Sequence, residues 1–93
     1  MVIGFLFLDI YLPCCHSLKE KRKRLQSIRD RFKNKHNVAF AELEYQNKWQ
    51  RTRIGMVTLN TEKKVVESLF HKILQESEDT IDGEITDYQI RYF

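Results

Sequence analysis

From Val2 to Glu20 the chain reads Val2-Ile3-Gly4-Phe5-Leu6-Phe7-Leu8-Asp9-Ile10-Tyr11-Leu12-Pro13-Cys14-Cys15-His16-Ser17-Leu18-Lys19-Glu20. The first part alternates with period two. Leu6, Leu8, Ile10 and Leu12 fall on one face, with Phe5, Phe7, Asp9 and Tyr11 on the other, as in a strand. Pro13 has no N–H for the ladder and stops it. Ser17-Leu18-Lys19-Glu20 then matches a capping box, in which Ser17 accepts from the Glu20 N–H and Glu20 reaches back to Ser17. A helix from Leu18 to about Asn34 follows, with Leu18, Leu25, Ile28 and Phe32 as a narrow apolar stripe.

Working outward, Val38 to about Glu44 reads as a second strand and Gln50 to Leu59 as a third. Tyr45-Gln46-Asn47-Lys48-Trp49 is the hairpin connection between them. Asn60 or Thr61 can cap a second helix running to about Glu76, on a stripe of Val65, Val66, Leu69, Phe70, Ile73 and Leu74. Asp82-Gly83 marks a turn, and Ile85 to Phe93 is a last strand. The order β-α-β-β-α-β predicts an α+β, ferredoxin-like domain over residues 1–93, with an antiparallel four-stranded sheet and both helices on one face. The other sheet face is then uncovered. Because the strands carry apolar groups at both parities, Phe5, Phe7, Tyr11, Ile54 and Met56 are expected to form an oligomer interface, giving a homodimer or higher oligomer; the plain alternative is a monomer with an apolar sheet face.

A chain of 93 residues has room for one core. With 42% hydrophobic and 31% charged residues the composition suits a soluble globular protein. The apolar start lacks a preceding basic region, is interrupted by Asp9 and is too short to span a bilayer, so it is expected to be a buried strand and no membrane partner is expected. Cys14 and Cys15 are adjacent and have no other partner in the chain, which favours a reducing compartment and a cytoplasmic location.

Net charge is only +3, but it is unevenly placed. Lys19 to Lys35 holds nine Lys or Arg against Glu20 and Asp30, whereas Glu76 to Asp87 holds six acids and no base. Such a basic helix suits contact with RNA or the ribosome, at candidate residues Lys19, Lys21, Arg22, Lys23, Arg24, Arg29, Arg31 and Lys35. The hairpin residues Lys48, Trp49, Arg51 and Arg53 extend the set. The plain alternative is a solvated helix face. Lys21 falls inside the apolar stripe and must either snorkel out at the helix end or meet a carboxylate, with Asp9, Glu42 and Glu44 as candidate partners.

Other chemistries fit poorly. The third strand, Arg53-Ile54-Gly55-Met56-Val57-Thr58-Leu59, lacks the aromatics of an RNA-reading sheet. Cys14-Cys15-His16 falls short of the four spaced ligands of structural zinc, so neither metal nor cofactor is expected. No phosphate loop, His-Glu-x-x-His or nucleophile elbow occurs. Glu42 and Glu44, taken to share a strand face, are explained by salt bridging, and no enzyme activity is expected. The acidic segment Glu76 to Asp82 reads as a solvated loop.

Leu12-Pro13-Cys14-Cys15-His16-Ser17-Leu18-Lys19-Glu20-Lys21-Arg22, Ala41-Glu42-Leu43-Glu44 and Gln46-Asn47-Lys48-Trp49-Gln50-Arg51 are similar to the YlxP-like family of small bacterial proteins, a domain of unknown function. The likeness covers nearly the whole chain, and Ser-Leu-Lys-Glu-Lys-Arg is its most specific block. It implies the same ferredoxin-like topology and no enzyme activity, and an association with translation and ribosome-maturation genes. Relatives usually carry Gly, Ala or Ser where this chain has Cys14-Cys15, which argues against a family-wide thiol chemistry. The leading expectation is a noncatalytic binding protein. The alternative is a structural or regulatory homo-oligomer that takes a small ligand or a protein near loop 13–22.

Overall fold

Alternation along the first strand sets the architecture: its even residues form an unbroken aliphatic row that the helices cover, while its odd ones, interrupted by Asp9, lie on the other face. The computed structural model describes residues 1–93. It runs β1 (Val2–Tyr11), α1 (Leu18–Lys35), β2 (Ala39–Glu44), β3 (Arg51–Asn60), α2 (Lys63–Thr80) and β4 (Glu84–Tyr92). The sheet order is β2-β3-β1-β4 and every neighbouring pair is antiparallel. Leu6, Leu8, Ile10 and Leu12 meet Ile28 and Phe32 of α1 and Val66, Phe70 and Ile73 of α2 in one core. Both helices therefore cover the same face, giving the ferredoxin-like α+β fold. Gly4 lets α2 approach β1 closely, since an added Cβ would fall 2.7 Å from Phe70 and against Val66.

Helix α1 begins where the capping box placed it. Ser17 Oγ accepts from the Glu20 N–H at 3.1 Å, while Glu20 Oε2 accepts from the His16 N–H at 2.8 Å, one residue earlier than expected. Helix α2 starts later than expected, with Glu62 in the N-cap position and Asn60 Oδ1 accepting from the Glu62 N–H at 3.0 Å. It also runs four residues further, to Thr80, so most of the acidic segment is helical and not a loop. Acids at a helix C-terminus oppose the dipole, and the last turn has no base to offset them. Burial of Ser77 and Ile81 holds that turn: the Ser77 hydroxyl donates to the Ile73 carbonyl at 2.7 Å, and the Ile81 N–H donates to the Ser77 carbonyl. Val65, placed in the apolar stripe by the sequence, is exposed.

Register corrects two other expectations. Leu6 pairs with Met56 and Leu8 with Ile54, and paired residues project to the same face. Ile54 and Met56 are fully buried beneath the helices and form no part of the uncovered face. Phe5, Phe7 and Tyr11 do lie on it. Strand β2 carries a bulge between Glu42 and Glu44, so Glu42 turns to the helix side and Glu44 to the uncovered side. The two carboxylates do not share a face. No helix is long and apolar enough to cross a membrane.

Candidate nucleic-acid interface

The helical period brings Lys21 onto the buried stripe of α1, one turn before Leu25 and two before Ile28. Its stem is sealed in the core, and its ammonium lies 2.8 Å from Glu42 Oε2. It also donates to the Tyr45 carbonyl, while the Thr52 hydroxyl donates to the same Glu42 oxygen at 2.6 Å. The pair therefore joins α1, β2 and the hairpin from inside. Lys21 leaves the set of candidate contact residues: at 2% exposure it reaches no partner.

The other cations of α1 point outward. Arg24 reaches Asp82 at 3.5 Å and Arg29 its own neighbour Asp30 at 3.6 Å, both pairs being solvent-exposed and weak. Lys19, Arg22, Lys23, Arg31, Lys33 and Lys35 have no carboxylate within 4.0 Å. The acidic end of α2 thus neutralises little of the ridge. Beside it, Arg22, Gln26 and Arg29 overhang Phe40 and Ala41 of edge strand β2 across a groove of about 330 Å3.

Hairpin residues 45–50 abut the start of α1. Gln50 Nε2 donates to the carbonyls of Pro13 and Cys15, each at 3.2 Å, and the Leu12 N–H donates to the Gln50 carbonyl. Tyr45 takes a left-handed backbone, φ 68°, so that its carbonyl also accepts from the Lys48 N–H. Lys48 and Trp49 are exposed there.

Arg51 and Arg53 belong elsewhere, since both stand on the odd parity of β3, away from the helices. Arg51 lies over the Tyr45 ring, 4.3 Å from its centroid. Arg53 donates to both oxygens of Asp9, at 2.7 and 3.0 Å, and approaches Glu44 at 3.3 Å. Those hydrogen bonds hold the Asp9 carboxyl below its ordinary value, with the positive charges of Arg53 and Arg51 adding to the effect. Arg53 is therefore committed to the uncovered sheet face and is not joined to the α1 ridge. Around it Phe5 and Phe7 stack at 5.7 Å, Phe93 packs edge-on to Phe5 at 5.6 Å, and a shallow cleft of about 390 Å3 opens.

The loop before α1 holds Cys15 buried and Cys14 half-buried. Burial pushes the Cys15 thiol up, and the neighbouring Cys14 adds to this. Lys23 and Arg24, not Lys21, line the hollow of about 310 Å3 beside these sulfurs.

A feature the sequence reading passed over lies between the far end of α1 and helix α2. A groove of about 590 Å3 is bounded by Lys35, Lys64 and Lys72, with Val66 and Leu69 in its floor. The signal was present: Lys64, Ser68 and Lys72 recur every four residues and form one row on α2.

The family described as "Protein of unknown function (DUF503)" matches residues 3–90. Uncharacterized protein YlxP of Bacillus subtilis (strain 168) is 36% identical over 73 residues, covering 78% of this chain and 79% of that protein. Among solved structures, the de novo designed protein Ferredog-Diesel is similar with a TM-score of 0.51 over 96% of this chain and 83% of that one. At 12% identity the latter likeness concerns the fold alone.

Proposed function

This chain belongs to the DUF503 family of proteins of unknown function, and from that premise we propose that it is a noncatalytic binding protein contacting RNA or the ribosome through α1. One observation carries the reading. Six cations on a single helix, Lys19, Arg22, Lys23, Arg31, Lys33 and Lys35, stand exposed with no acid partner, while Lys21, paired with half-buried Glu42, is turned inward. A solvated face needs no such sorting. A polyanion gains from it, because each phosphate neutralised releases condensed counterions. Eighteen residues make a rod of about 27 Å, and the hairpin's Lys48 and Trp49 lie at its N-terminal end.

The uncovered sheet face is proposed to pair with a second copy. A layer of strands of 10, 6, 10 and 9 residues, at ~3.3 Å per residue and ~4.8 Å apart, presents about 550 Å2 in projection. Side-chain relief brings that towards the ~800 Å2 per partner of a standard interface. The face carries both signs, Asp9 and Glu44 with Arg53 and Arg91, as a self-complementary contact requires. Both copies of α1 would then face outward.

Retention on ribosomal subunits, measured against salt, tests the reading. The wild type is expected to bind and to elute progressively as salt rises. A Lys23→Glu, Arg31→Glu variant with an unchanged melting temperature is expected to lose most of that binding. Absent or salt-independent binding by the wild type, or equal binding by the folded variant, refutes it.

A further inference from the structure

We infer that the groove between the C-terminal end of α1 and helix α2 is a second arm of the interface, holding the phosphodiester backbone of an RNA duplex. This rests on the RNA reading above and goes beyond it in two ways: it adds residues from a second helix, and it names the form of RNA.

Lys35, Lys64 and Lys72 surround the groove, and no carboxylate lines it. None of the three forms an ion pair, in contrast to their neighbour Lys63, which lies 3.9 Å from Glu67 and 4.7 Å from the centroid of the Tyr92 ring. Lys64 and Lys72 are eight residues apart on one helix row, about 12 Å along the axis, with the Ser68 hydroxyl between them. Lys35 closes the opposite wall and is also the last residue of the α1 ridge, so cations of both helices border the groove, while Glu76, next on the α2 row, is taken up by His36 at 3.4 Å.

Ligand form follows from what lines the groove. Its floor is aliphatic, and its one ring, His36, is half-buried and turned to Glu76 at 3.4 Å, so no open aromatic face lines it. The rings on the protein's other face, Phe5, Phe7 and Phe93, lie beyond the sheet. Single strands are held largely by stacking of bases on a series of aromatic groups, worth about 1–3 kcal/mol per base, and this surface offers only Trp49, at the far end of α1 from the groove. A duplex needs no stacking, because it is recognised by shape and by its phosphates and 2′-hydroxyls. Its two strands also bring a higher density of charge to a surface two helices wide. Binding should be independent of sequence for the same reason.

Fluorescence anisotropy with a fluorescein-labelled RNA duplex of about 16 base pairs tests the inference, with a labelled oligouridine of the same length as the second probe. Affinity is read between about 50 and 200 mM salt. The duplex is expected to bind more tightly than oligouridine. Lys64→Gln with Lys72→Gln is expected to flatten the log-affinity against log-salt slope by about 1.8, at ~0.9 per phosphate contact. Lys63→Gln is expected to leave it unchanged, and circular dichroism melts check that all variants fold. Loss of binding on changing Lys23 and Arg31 but not Lys64 and Lys72 overturns the second arm and spares the α1 reading. Tighter binding of oligouridine overturns the duplex assignment. No salt-dependent binding of either probe by the wild type overturns both readings.

Discussion

Replacing Lys21 by Met keeps most of the buried volume of its stem and removes the ammonium. Glu42 would then lose its partner at 2.8 Å while keeping the hydrogen bond from Thr52. The Tyr45 carbonyl would keep the Lys48 N–H, so no backbone acceptor is orphaned. Breaking a fully buried ion pair costs about 3–5 kcal/mol. Because Glu42 is 19% exposed and can draw on water, the expected loss is nearer to 2–3 kcal/mol. For a domain of this size that lowers Tm by roughly 10–20 °C, at about 4–8 °C per kcal/mol. Adding Glu42→Gln removes the stranded charge and retains an acceptor for Thr52, which is 1% exposed. The double variant should recover about 1–2 kcal/mol relative to Lys21→Met, an energy that isolates the charge from the packing. Urea denaturation followed by far-UV circular dichroism measures all four corners of the cycle. Lys21→Met lying within about 0.5 kcal/mol of wild type, the range of ordinary surface changes, would refute the account. So would a double variant no more stable than Lys21→Met. In the cold, where the variant stays folded, its salt slope on RNA should equal that of the wild type, since Lys21 reaches no ligand.

Acid should act through Asp9. Its carboxyl is held low in the folded protein by Arg53, so the stability it contributes is complete above the unfolded value of about 4. That contribution is lost as pH falls through the lower folded value. Melting temperature measured from pH 6 to pH 2 should therefore drop below about pH 4 in the wild type, and less steeply in Arg53→Gln; parallel curves would contradict this. Ellman's reagent on the native protein near pH 8 should titrate Cys14 and spare Cys15, which is buried and raised; rapid labelling of both would show the loop to be open. Gly4→Ala should destabilise by about 1–3 kcal/mol in chemical denaturation, through overpacking against Val66 and Phe70. Light scattering should give a dimer mass that Phe7→Glu halves; a monomeric wild type would remove the sheet-face pairing.

Why most of the fold was legible is clear from β1 and the start of α1. Alternation from Phe5 to Leu12 has one solution, and Ser17 with Glu20 marks a helix start by local hydrogen bonds alone. Lys21 was legible in part: helical period puts it among apolar neighbours, where its ammonium must snorkel out or meet a carboxylate, but only the bulge that turns Glu42 inward decides between these. The misreadings share a different cause. Ile54 and Met56 were grouped with Phe5 and Phe7 by parity within their own strand, but facing depends on register between strands. The pairing of Leu6 with Met56 is a tertiary fact that no single strand carries. The bulge that separates Glu42 from Glu44, and with it the fate of Arg53, is likewise invisible in Ala41-Glu42-Leu43-Glu44. The extension of α2 into acidic sequence defeats a composition rule, because burial of Ser77 and Ile81 outweighs an unfavourable helix end.

The layering of the fold bears directly on how strongly such a surface could hold RNA. Sorting by β1 parity sends the helices to one side of the sheet and the aromatic cluster of Phe5, Phe7 and Phe93 to the other. A dimer made through the aromatic side would place its two cationic layers back to back, separated by the thickness of two sheets and the helices themselves. The two ridges could not then lie in one groove of one duplex, and each would meet a different helix or a different turn of a folded RNA. Avidity on a compact ribosomal RNA, where helices lie side by side, should exceed that on an isolated short duplex, which can occupy only one ridge. A monomeric Phe7→Glu variant should thus bind the short duplex as the wild type does and lose affinity only for the larger folded RNA. Equal losses on both would mean that the sheet face itself touches the nucleic acid.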